Sequence, residues 1–266
     1  MKSTRIRAVL KQAFRRMHQR RNLGQPLSTL KEKIQATVCE IPSNKFLMDC
    51  HIHTQASDSP FPAQAYYNIG KEVLGDRFLF TTTDHELLTQ FSSVHLWGAE
   101  LHCKMEKIYR MIGGYVHILA YFEEKPKINI RFNRLKPIEA IHQIQALEGI
   151  AIPAHIFAIE GTCDPEVLEA CDAFELNAGF PGWINGKILQ WAQTYKKPVI
   201  AGSDAHYLKH FFDGFTVFSQ QTNLLDQIRK NKIRSFVKYS FDRLLPFFPL
   251  NLPFSMYKMI FKGNIL

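Results

Sequence analysis

The sequence contains little that would suit a disulfide-stabilised, secreted or membrane-spanning protein. Its five cysteines are odd in number and no two are spaced as CxxC, so neither a disulfide framework nor a CxxC metal or redox motif is indicated. No apolar run reaches the roughly 20 residues that span a bilayer. The N-terminal region also lacks the apolar stretch of about 7 to 15 residues that a signal peptide requires. We therefore expect no transmembrane segment and a reducing, cytoplasmic compartment for Cys39, Cys50, Cys103, Cys163 and Cys171.

The composition is that of an ordinary globular protein with one hydrophobic core. Of the 266 residues, 46% are hydrophobic and 21% are charged, and single α/β barrels commonly have this length. The formal charge of +9 is uneven, because basic residues crowd the stretch between Arg5 and Arg21. Such a cluster attracts the phosphates of nucleic acid or anionic lipid. A solvated basic helix or tail is the alternative, since charge runs of this kind are also common on surfaces.

The segment 241–266 is rich in aromatic and aliphatic residues but also contains Pro246, Pro249 and Pro253. Prolines at this spacing prevent a continuous helix. Docking onto the rest of the protein is one interpretation, and peripheral contact with a membrane is the other, since lysines lie beside the apolar residues. We divide the chain into a basic N-terminal extension, 1–44, a catalytic domain, 45–240, and this apolar C-terminal segment, 241–266.

From Lys45 onward, short apolar runs alternate with amphipathic stretches, which is the pattern of β/α repetition. Helices are predicted from Pro137 to Leu147, from Pro165 to Ala170 and from Lys187 to Lys196. Polar or titratable residues follow the apolar runs. Because the strands of an α/β barrel direct their carboxyl ends to one site, we expect the functional residues at that rim. The predicted strands are 46–48, 78–81, 116–119, 150–152, 173–176 and 198–201.

Nine residues at or soon after these predicted strands are candidate metal ligands. His51 and His53 alternate along an extended segment, so both imidazoles point to one face and can bind one ion. Glu100 has two carboxylate oxygens, which suits it to bridging adjacent ions. Each residue alone is compatible with an ordinary hydrogen-bonded or surface position, but nine such coincidences in one chain are implausible. The nine are His51, His53, Asp58, His85, Glu100, His117, His155, Asp204 and His206.

The motifs that contain these residues resemble those of the polymerase and histidinol phosphatase (PHP) superfamily. They occur in the family's order and at similar spacing over residues 46–218. The sequence departs from the pattern at Asp58-Ser59, where Asp-Gly is more usual. The stretch between His85 and Gly98 is short and leaves little room for an inserted substrate-binding domain, which argues against a long polynucleotide substrate. The matching segments are DCHIHT at 49–54, TDH at 83–85, GAE at 98–100, VHIL at 116–119, PAH at 153–155 and GSDAH at 202–206.

The resemblance implies a distorted (β/α)7, TIM-like barrel that binds two or three divalent ions of manganese, zinc or iron. It also implies that Asp49 and Asp84 orient the ligand imidazoles. Glu175 and Asn177 are expected to make supporting or substrate-side contacts, or simply to form a buried hydrogen-bonded pair. The first ion is assigned to His51, His53, Glu100 and Asp204, the second to Glu100, His117 and His155, and the third to Asp58, His85 and His206.

The resemblance further implies metal-dependent hydrolysis of phosphate esters, as a phosphatase or phosphodiesterase. A metal-activated hydroxide would attack phosphorus, with Glu100, Asp204 and His206 as catalytic residues. The expected substrate is a nucleotide, an oligonucleotide end or another small phosphoester such as histidinol phosphate. The alternative is a non-catalytic, metal-stabilised barrel that acts as a binding or membrane-surface module. Candidate phosphate-binding cations, each also compatible with a solvated position, are Lys104, Arg131, Arg134 and Lys136.

Overall fold

Short strands form three small sheets in the computed structural model, which describes residues 27–89, 91–104, 116–127, 135–156 and 164–238. Two of these sheets are antiparallel, and the third is a parallel pair. In sheet order, the strands are β1 (Phe46–Met48), β7 (Gly214–Phe218) and β8 (Arg234–Val237); β2 (Trp97–Cys103), β3 (Val116–Phe122) and β4 (Ile150–Pro153); and the parallel pair β5 (Phe174–Asn177) and β6 (Val199–Gly202).

The helices begin where the sequence supplies suitable first-turn residues. Pro137 and Pro165 each occupy a first turn, where the fixed φ of proline suits a helix and its missing N–H is not needed. The side chain of Asp164 also accepts a hydrogen bond from the Glu166 N–H at 3.0 Å. These two predicted helix starts are confirmed, whereas the helix predicted from Lys187 to Lys196 begins at Gly182 and ends at Thr194. The helices are α1 (Leu27–Val38), α2 (Ala63–Leu74), α3 (Pro137–Ala146), α4 (Pro165–Ala170), α5 (Gly182–Thr194) and α6 (Leu224–Arg229).

Single hydrogen bonds connect the sheets around the carboxyl ends of β1 and β6. The connecting segments carry polar side chains, so the bonds that join the sheets also bring those side chains together. The bonds are Leu79 N–H to Leu47 O (2.9 Å), Thr83 N–H to Ile52 O (2.8 Å), Glu100 N–H to Asp84 O (3.2 Å), His53 N–H to Ala205 O (3.0 Å) and Ala205 N–H to His51 O (3.2 Å).

The helix α1 packs against the hydrophobic core. Leu30, Ile34 and Val38 are buried in a cluster that also contains Tyr66 and Phe211. These three residues recur at helical spacing, so one face of α1 contacts the core while the opposite face remains in solvent. A helix within the segment 1–44 therefore contributes to the core, and the division of the chain into three parts stays a prediction.

The structure differs from the expected barrel in two respects. The stretch 78–81 was predicted as a strand, but it makes an isolated bridge between Phe78 and Leu47. The strands β2, β7 and β8 were not predicted, and β2 pairs with β3 in the antiparallel direction. A mixed α/β fold is confirmed, whereas the described residues do not form a closed barrel, so the TIM-like (β/α)7 barrel is not confirmed.

Two segments with predicted surface roles lie outside the described residues. They are the basic cluster between Arg5 and Arg21 and the apolar segment 241–266. Among the helices of the described ranges, none is both long enough and apolar enough to cross a membrane.

Candidate metal centre

The two histidines of the HxH motif lie beside the GSDAH turn that follows β6. Ile52, between them, bridges Ala205 in parallel register. Because the two histidines alternate along one extended segment, their rings share a face, and Nε2 of His51 lies 3.0 Å from Nε2 of His53. Oδ1 of Asp204 lies 3.5 Å from the first and 3.3 Å from the second. The three side chains form one compact group whose ligand atoms all lie within 4.8 Å of one another.

Glu100 lies at the centre of the site. It projects from β2, and its side chain is almost completely buried. Five imidazoles from four separate segments surround its carboxylate. Three of them face Oε1 and two face Oε2. Such an arrangement supports the predicted bridging role, because each oxygen can face a different ion. Oε1 lies 2.9 Å from His117 Nδ1, 3.0 Å from His155 Nε2 and 3.6 Å from His51 Nε2; Oε2 lies 3.0 Å from His85 Nδ1 and 3.3 Å from His53 Nε2.

Asp58 completes a further group on the open side of the site. Its Oδ2 atom lies 3.2 Å from Nε2 of His206 and 3.4 Å from Nε2 of His85. Its Oδ1 atom lies 3.7 Å from Nδ1 of His53. These are the residues assigned to the third ion, with His53 added. The structure thus brings all nine sequence-predicted ligands into one cluster.

The cluster has a buried base and an open side. The side chains of His51, His53 and Glu100 are 0–1% exposed. By contrast, Asp204 is 25% exposed and His206 is 32% exposed. A substrate therefore has access from the side of Asp204 and His206, while the base is closed to solvent.

Two candidate ligands have an uncommon backbone conformation. His155 has φ 31° and Asp204 has φ 53°, both in the left-handed region that residues other than glycine adopt only infrequently. The backbone N–H of His155 donates to Oε2 of Glu175 at 2.7 Å. Next to Asp204, the N–H of Ser203 donates to Oδ1 of Asp49 at 2.8 Å. These buried bonds hold both segments in the conformation that directs their side chains into the site.

Asp49 supports the site through the backbone, which differs from its predicted contact with an imidazole. Its Oδ1 atom accepts the N–H groups of His51 at 3.3 Å and Ser203 at 2.8 Å, and its Oδ2 atom accepts that of Phe212 at 2.9 Å. Asp49 therefore connects the HxH segment to the turn that carries Asp204. Burial is the main influence on this carboxyl group and raises its pKa to about 7.

Asp84 likewise accepts hydrogen bonds from a loop and not from the imidazole of a candidate ligand. Its Oδ1 atom accepts hydrogen bonds from the Thr54 N–H and the Ser57 hydroxyl, both at 2.7 Å, and its Oδ2 atom accepts one from the Thr54 hydroxyl at 2.9 Å. These bonds fold the loop after His53 back over the site. The loop thereby places Asp58 beside His85.

The carboxylate that does orient a ligand imidazole is Glu175. Its Oε1 atom lies 2.7 Å from Nδ1 of His51, and both side chains are fully buried. A carboxylate only accepts hydrogen bonds, so Nδ1 of His51 carries a proton, and Nε2 is the atom that would bind an ion once the ring is neutral. The expectation of a supporting contact for Glu175 agrees with this geometry.

The three central carboxyl groups are held in the ionised form. Burial alone would raise the pKa of Glu100, but the charges of His51 and His117 hold that pKa well below its usual range. The pKa of Asp204 is likewise held well below its usual range, because His51 and His53 outweigh the effect of burial. Asp58 behaves in the same way: its pKa is lowered by hydrogen bonds from His206 and His85 that outweigh burial.

The imidazoles divide into two classes. Burial, followed by the charge of His206, lowers the pKa of His53 to about 4. Burial acts in the same direction on His51, but the charges of Glu175, Asp204 and Glu100 raise its pKa well above the usual value. For His85, hydrogen bonds with Asp58 and Glu100 outweigh burial and raise the pKa to about 10.

The residues fit divalent transition-metal ions. Imidazole nitrogens and carboxylate oxygens are the ligands such ions take in proteins. The buried Nδ1 atoms of His53 and His155 have no hydrogen-bond partner, although buried polar atoms are normally paired. Metal cations bound by these ring nitrogens would supply the missing partners.

A family model covers the turn that closes this site. Described as PHP-associated, it matches residues 182–233, which include Asp204 and His206. The other motifs of the same pattern meet that turn in space, as the distances around Glu100 and Asp204 demonstrate. Over these residues the chain is similar to the PHP-associated family, which agrees with the resemblance of its motifs to the PHP superfamily.

Solved structures resemble the fold of this chain. PsfC from Pseudomonas syringae PB-5123 has a TM-score of 0.55 at 16% identity, over 80% of this chain and 99% of that one. The lesion-specific endonuclease PfuEndoQ from Pyrococcus furiosus has a TM-score of 0.49 at 14% identity, over 76% of this chain and 66% of that one. At such identities the likeness concerns the fold alone. No curated protein matches the sequence.

One histidine next to the candidate ligands was missed by sequence reasoning. Nε2 of His102 lies 2.9 Å from Nδ1 of His85, and its ring stacks on that of His117 with centroids 4.5 Å apart. Its position two residues after Glu100 in a strand could have indicated it, because alternate residues of a strand share a face. Burial, followed by the charges of His117 and His85, lowers the pKa of His102 to about 3.

The candidate phosphate-binding cations remain predictions. Arg131 and Arg134 lie outside the described residues. Lys104 follows β2 and is exposed. Lys136 precedes α3, and its backbone N–H donates to Oε2 of Glu139 at 3.1 Å. The structure therefore does not assign a phosphate contact to either described lysine.

Proposed function

We propose that this chain hydrolyses phosphate esters with divalent metal ions held by the nine candidate ligands. The observation that carries the proposal is the convergence of imidazoles from four segments on the two oxygens of Glu100. Two or three ions of manganese, zinc or iron fit this set. The proposed groups are His51, His53, Glu100 and Asp204; Glu100, His117 and His155; and Asp58, His85 and His206.

Bound divalent ions would supply acidified water and would neutralise the charge of a phosphate group. The chain's own residues would provide the rest. Glu100 and His51, at the closed base, would hold the ions away from bulk solvent. Asp204 and His206, on the open side, would face the phosphate and accept or relay a proton. Burial would lower the pKa of His206, but the hydrogen bond with Asp58 and the charge of Asp204 raise it.

We also propose that the three sheets are parts of one distorted (β/α)7 barrel. The hydrogen bonds between the segments after β1 and β6 support this arrangement, as does the parallel bridge between His85 and Glu100. Between β4 and β5, the Asp172 N–H donates to Ala151 O at 2.9 Å. Such a barrel would place His51, His155 and Asp204 just beyond the carboxyl ends of β1, β4 and β6, where barrel enzymes have their sites.

The proposed substrate is a nucleotide, an oligonucleotide end or another small phosphoester. This choice follows the resemblance to the PHP superfamily and the open side of the cluster at Asp204 and His206. A monoester and a diester would both present anionic phosphate oxygens to the same groups.

Hydrolysis of two chromogenic esters tests the proposal. The protein is stripped with a chelator, reloaded with Mn²⁺, Zn²⁺ or Fe²⁺, and assayed with p-nitrophenyl phosphate and bis(p-nitrophenyl) phosphate. We expect hydrolysis that requires added ions and falls about 100-fold or more in Asp204→Asn, because changing even a partner of a metal ligand costs up to about 100-fold. Histidinol phosphate, mononucleotides, 3′,5′-bisphosphates and short oligonucleotides then identify the substrate class.

The control is His142→Ala, which changes an exposed histidine on α3 and should leave hydrolysis unchanged. Bound ions without hydrolysis of any ester would contradict the enzyme proposal and favour the non-catalytic alternative. Unchanged hydrolysis in Asp204→Asn would contradict the assigned site.

A further inference from the structure

We infer that His102, together with His85 and His117, forms an additional all-imidazole binding position for a transition-metal cation of the zinc type. This position extends the metal centre of the proposed function and rests on it. It shares His85 and His117 with the nine candidate ligands and adds His102, which is not among them. The inference concerns which residues would hold an ion beside His85.

The pairing of β2 with β3 creates this position. His102 and His117 are direct partners in the antiparallel register, so their side chains lie on the same face of the sheet a few ångströms apart. Their rings are stacked, with centroids 4.5 Å apart and an angle of 20° between the planes. The strand pair therefore aligns two imidazoles without any contribution from a loop.

His85 supplies the third imidazole. It lies in a segment that bridges Glu100 in parallel register, and Nδ1 of His85 is 2.9 Å from Nε2 of His102. One ring nitrogen from each of the three histidines lies within 4.8 Å of the other two. Three imidazoles at such separations match the protein ligands of zinc sites that keep a fourth position open.

The ligand set indicates the kind of cation. The three histidines offer nitrogen donors, and the carboxylate of Glu100 lies beside two of them, at 3.0 Å from His85 Nδ1 and 2.9 Å from His117 Nδ1. Imidazole favours zinc, copper, iron and nickel, whereas magnesium, calcium and manganese favour oxygen. His85 and His102 are half-buried, so an ion held there would have a coordination position accessible to water or to a phosphate oxygen.

His85 connects this position to the neighbouring one. Its Nδ1 atom faces His102, whereas its Nε2 atom lies 3.4 Å from Oδ2 of Asp58. A neutral imidazole has one lone pair, so an ion beside His102 and an ion beside Asp58 compete for His85. Loss of His102 should therefore weaken one binding event and leave the remainder of the centre loaded.

Cobalt titration of the chelator-stripped, full-length protein tests the inference, because Co²⁺ reports on its ligands by visible absorption. The variants are His102→Ala and His102→Gln, with His142→Ala as the matched exposed control. We expect one Co²⁺ equivalent to bind at least about ten-fold more weakly in both His102 variants, with a changed spectrum. The control should bind all its equivalents as the wild type does.

Glutamine separates a ligand from a hydrogen-bond acceptor, because its side-chain oxygen can still accept the Nδ1–H of His85 but is a poor ligand. Full Co²⁺ binding in His102→Gln would overturn the inference in favour of a positioning role, and full binding in both variants would overturn it outright. If the wild type hydrolyses esters in either case, the proposed function stands while this inference fails. A wild type that binds no Co²⁺ would contradict both. Circular dichroism verifies that each variant is folded.

Discussion

Oε1 of Glu175 lies 2.7 Å from Nδ1 of His51, with both side chains fully buried. The second oxygen of the same carboxylate accepts the backbone N–H of His155 at 2.7 Å. One carboxylate thus fixes the ring of one candidate ligand and the main chain of another. Both oxygens of Glu175 therefore have a protein partner. Its supporting role depends on accepting a hydrogen bond at each oxygen.

We predict that Glu175→Gln weakens metal binding about 10 to 100-fold, the usual effect of changing a partner of a metal ligand. The amide keeps one accepting oxygen, so either His51 or the N–H of His155 loses its acceptor. Competition with a chromophoric chelator measures the affinity. Glu169→Gln, at an exposed position on α4, is the control and should bind ions normally. An unchanged affinity in Glu175→Gln would show that His51 does not need this partner.

Gly202 lies against His51 and Glu175, and its lack of a side chain leaves room for their contact. A Cβ atom at this position would lie 2.3 Å from Cβ of His51 and 3.1 Å from Oε1 of Glu175. We predict that Gly202→Ala lowers the free energy of unfolding by about 1 to 3 kcal/mol, as overpacking in cores does. It should also weaken metal binding, because the His51 ring is displaced.

Gly186→Ala is the matched control for Gly202→Ala. It lies within α5, and a Cβ atom there would meet nothing within 4 Å. Alanine should raise the free energy of unfolding by up to about 1 kcal/mol, since it favours a helix over glycine. Urea unfolding measures both changes. Equal effects of the two substitutions would contradict the steric explanation.

The nine members of the cluster could be predicted from the sequence because they lie in closely spaced motifs at or soon after apolar runs, whereas their binding of metal stays a prediction. The hydrogen bond between Glu175 and His51 could not be predicted, because the two residues are 124 positions apart. A single glutamate in a strand also has no distinctive sequence pattern. The strand β2 escaped prediction for a local reason. Its sequence, WGAELHC, lacks the β-branched residues that are typical of strands, so His102 was not placed beside His117.

Binding of metal ions should release protons. In the ion-free centre, hydrogen bonds with Asp58 and Glu100 outweigh burial and raise the pKa of His85 to about 10, so this ring is protonated at pH 7. An ion can bind only the deprotonated ring. We predict proton release when Zn²⁺ binds at pH 7, measured by calorimetry in two buffers of different ionisation enthalpy.

Asp58→Asn supplies the comparison for this titration. With the Asp58 charge removed, His85 should hold its proton less tightly, and fewer protons should be released on binding. Proton uptake on Zn²⁺ binding, or release that is unchanged in Asp58→Asn, would contradict the assignment.

Removal of the ions should destabilise the fold. Ligand at about 100 times its Kd adds about 2.7 kcal/mol to the free energy of unfolding, which for a domain of this size raises Tm by about 5 to 10 °C. We expect a chelator to lower Tm by that amount and re-addition of Zn²⁺ or Mn²⁺ to restore it. His51→Ala should show a smaller response to the chelator. A Tm that does not respond to the chelator in the wild type would mean that ions do not stabilise the folded state.

The helix α1 provides a test of where the catalytic unit begins. Ile34 is fully buried in the cluster that contains Tyr66 and Phe211, whereas Leu27 at the start of the same helix is 48% exposed. We predict that Ile34→Ala lowers the free energy of unfolding by about 2 to 5 kcal/mol, because the substitution leaves a cavity, and that Leu27→Ala changes it by less than about 0.5 kcal/mol. Urea unfolding in the presence of Zn²⁺ measures both. A large effect of Ile34→Ala would move the start of the catalytic unit to before α1, whereas equal, small effects would leave the boundary at residue 45.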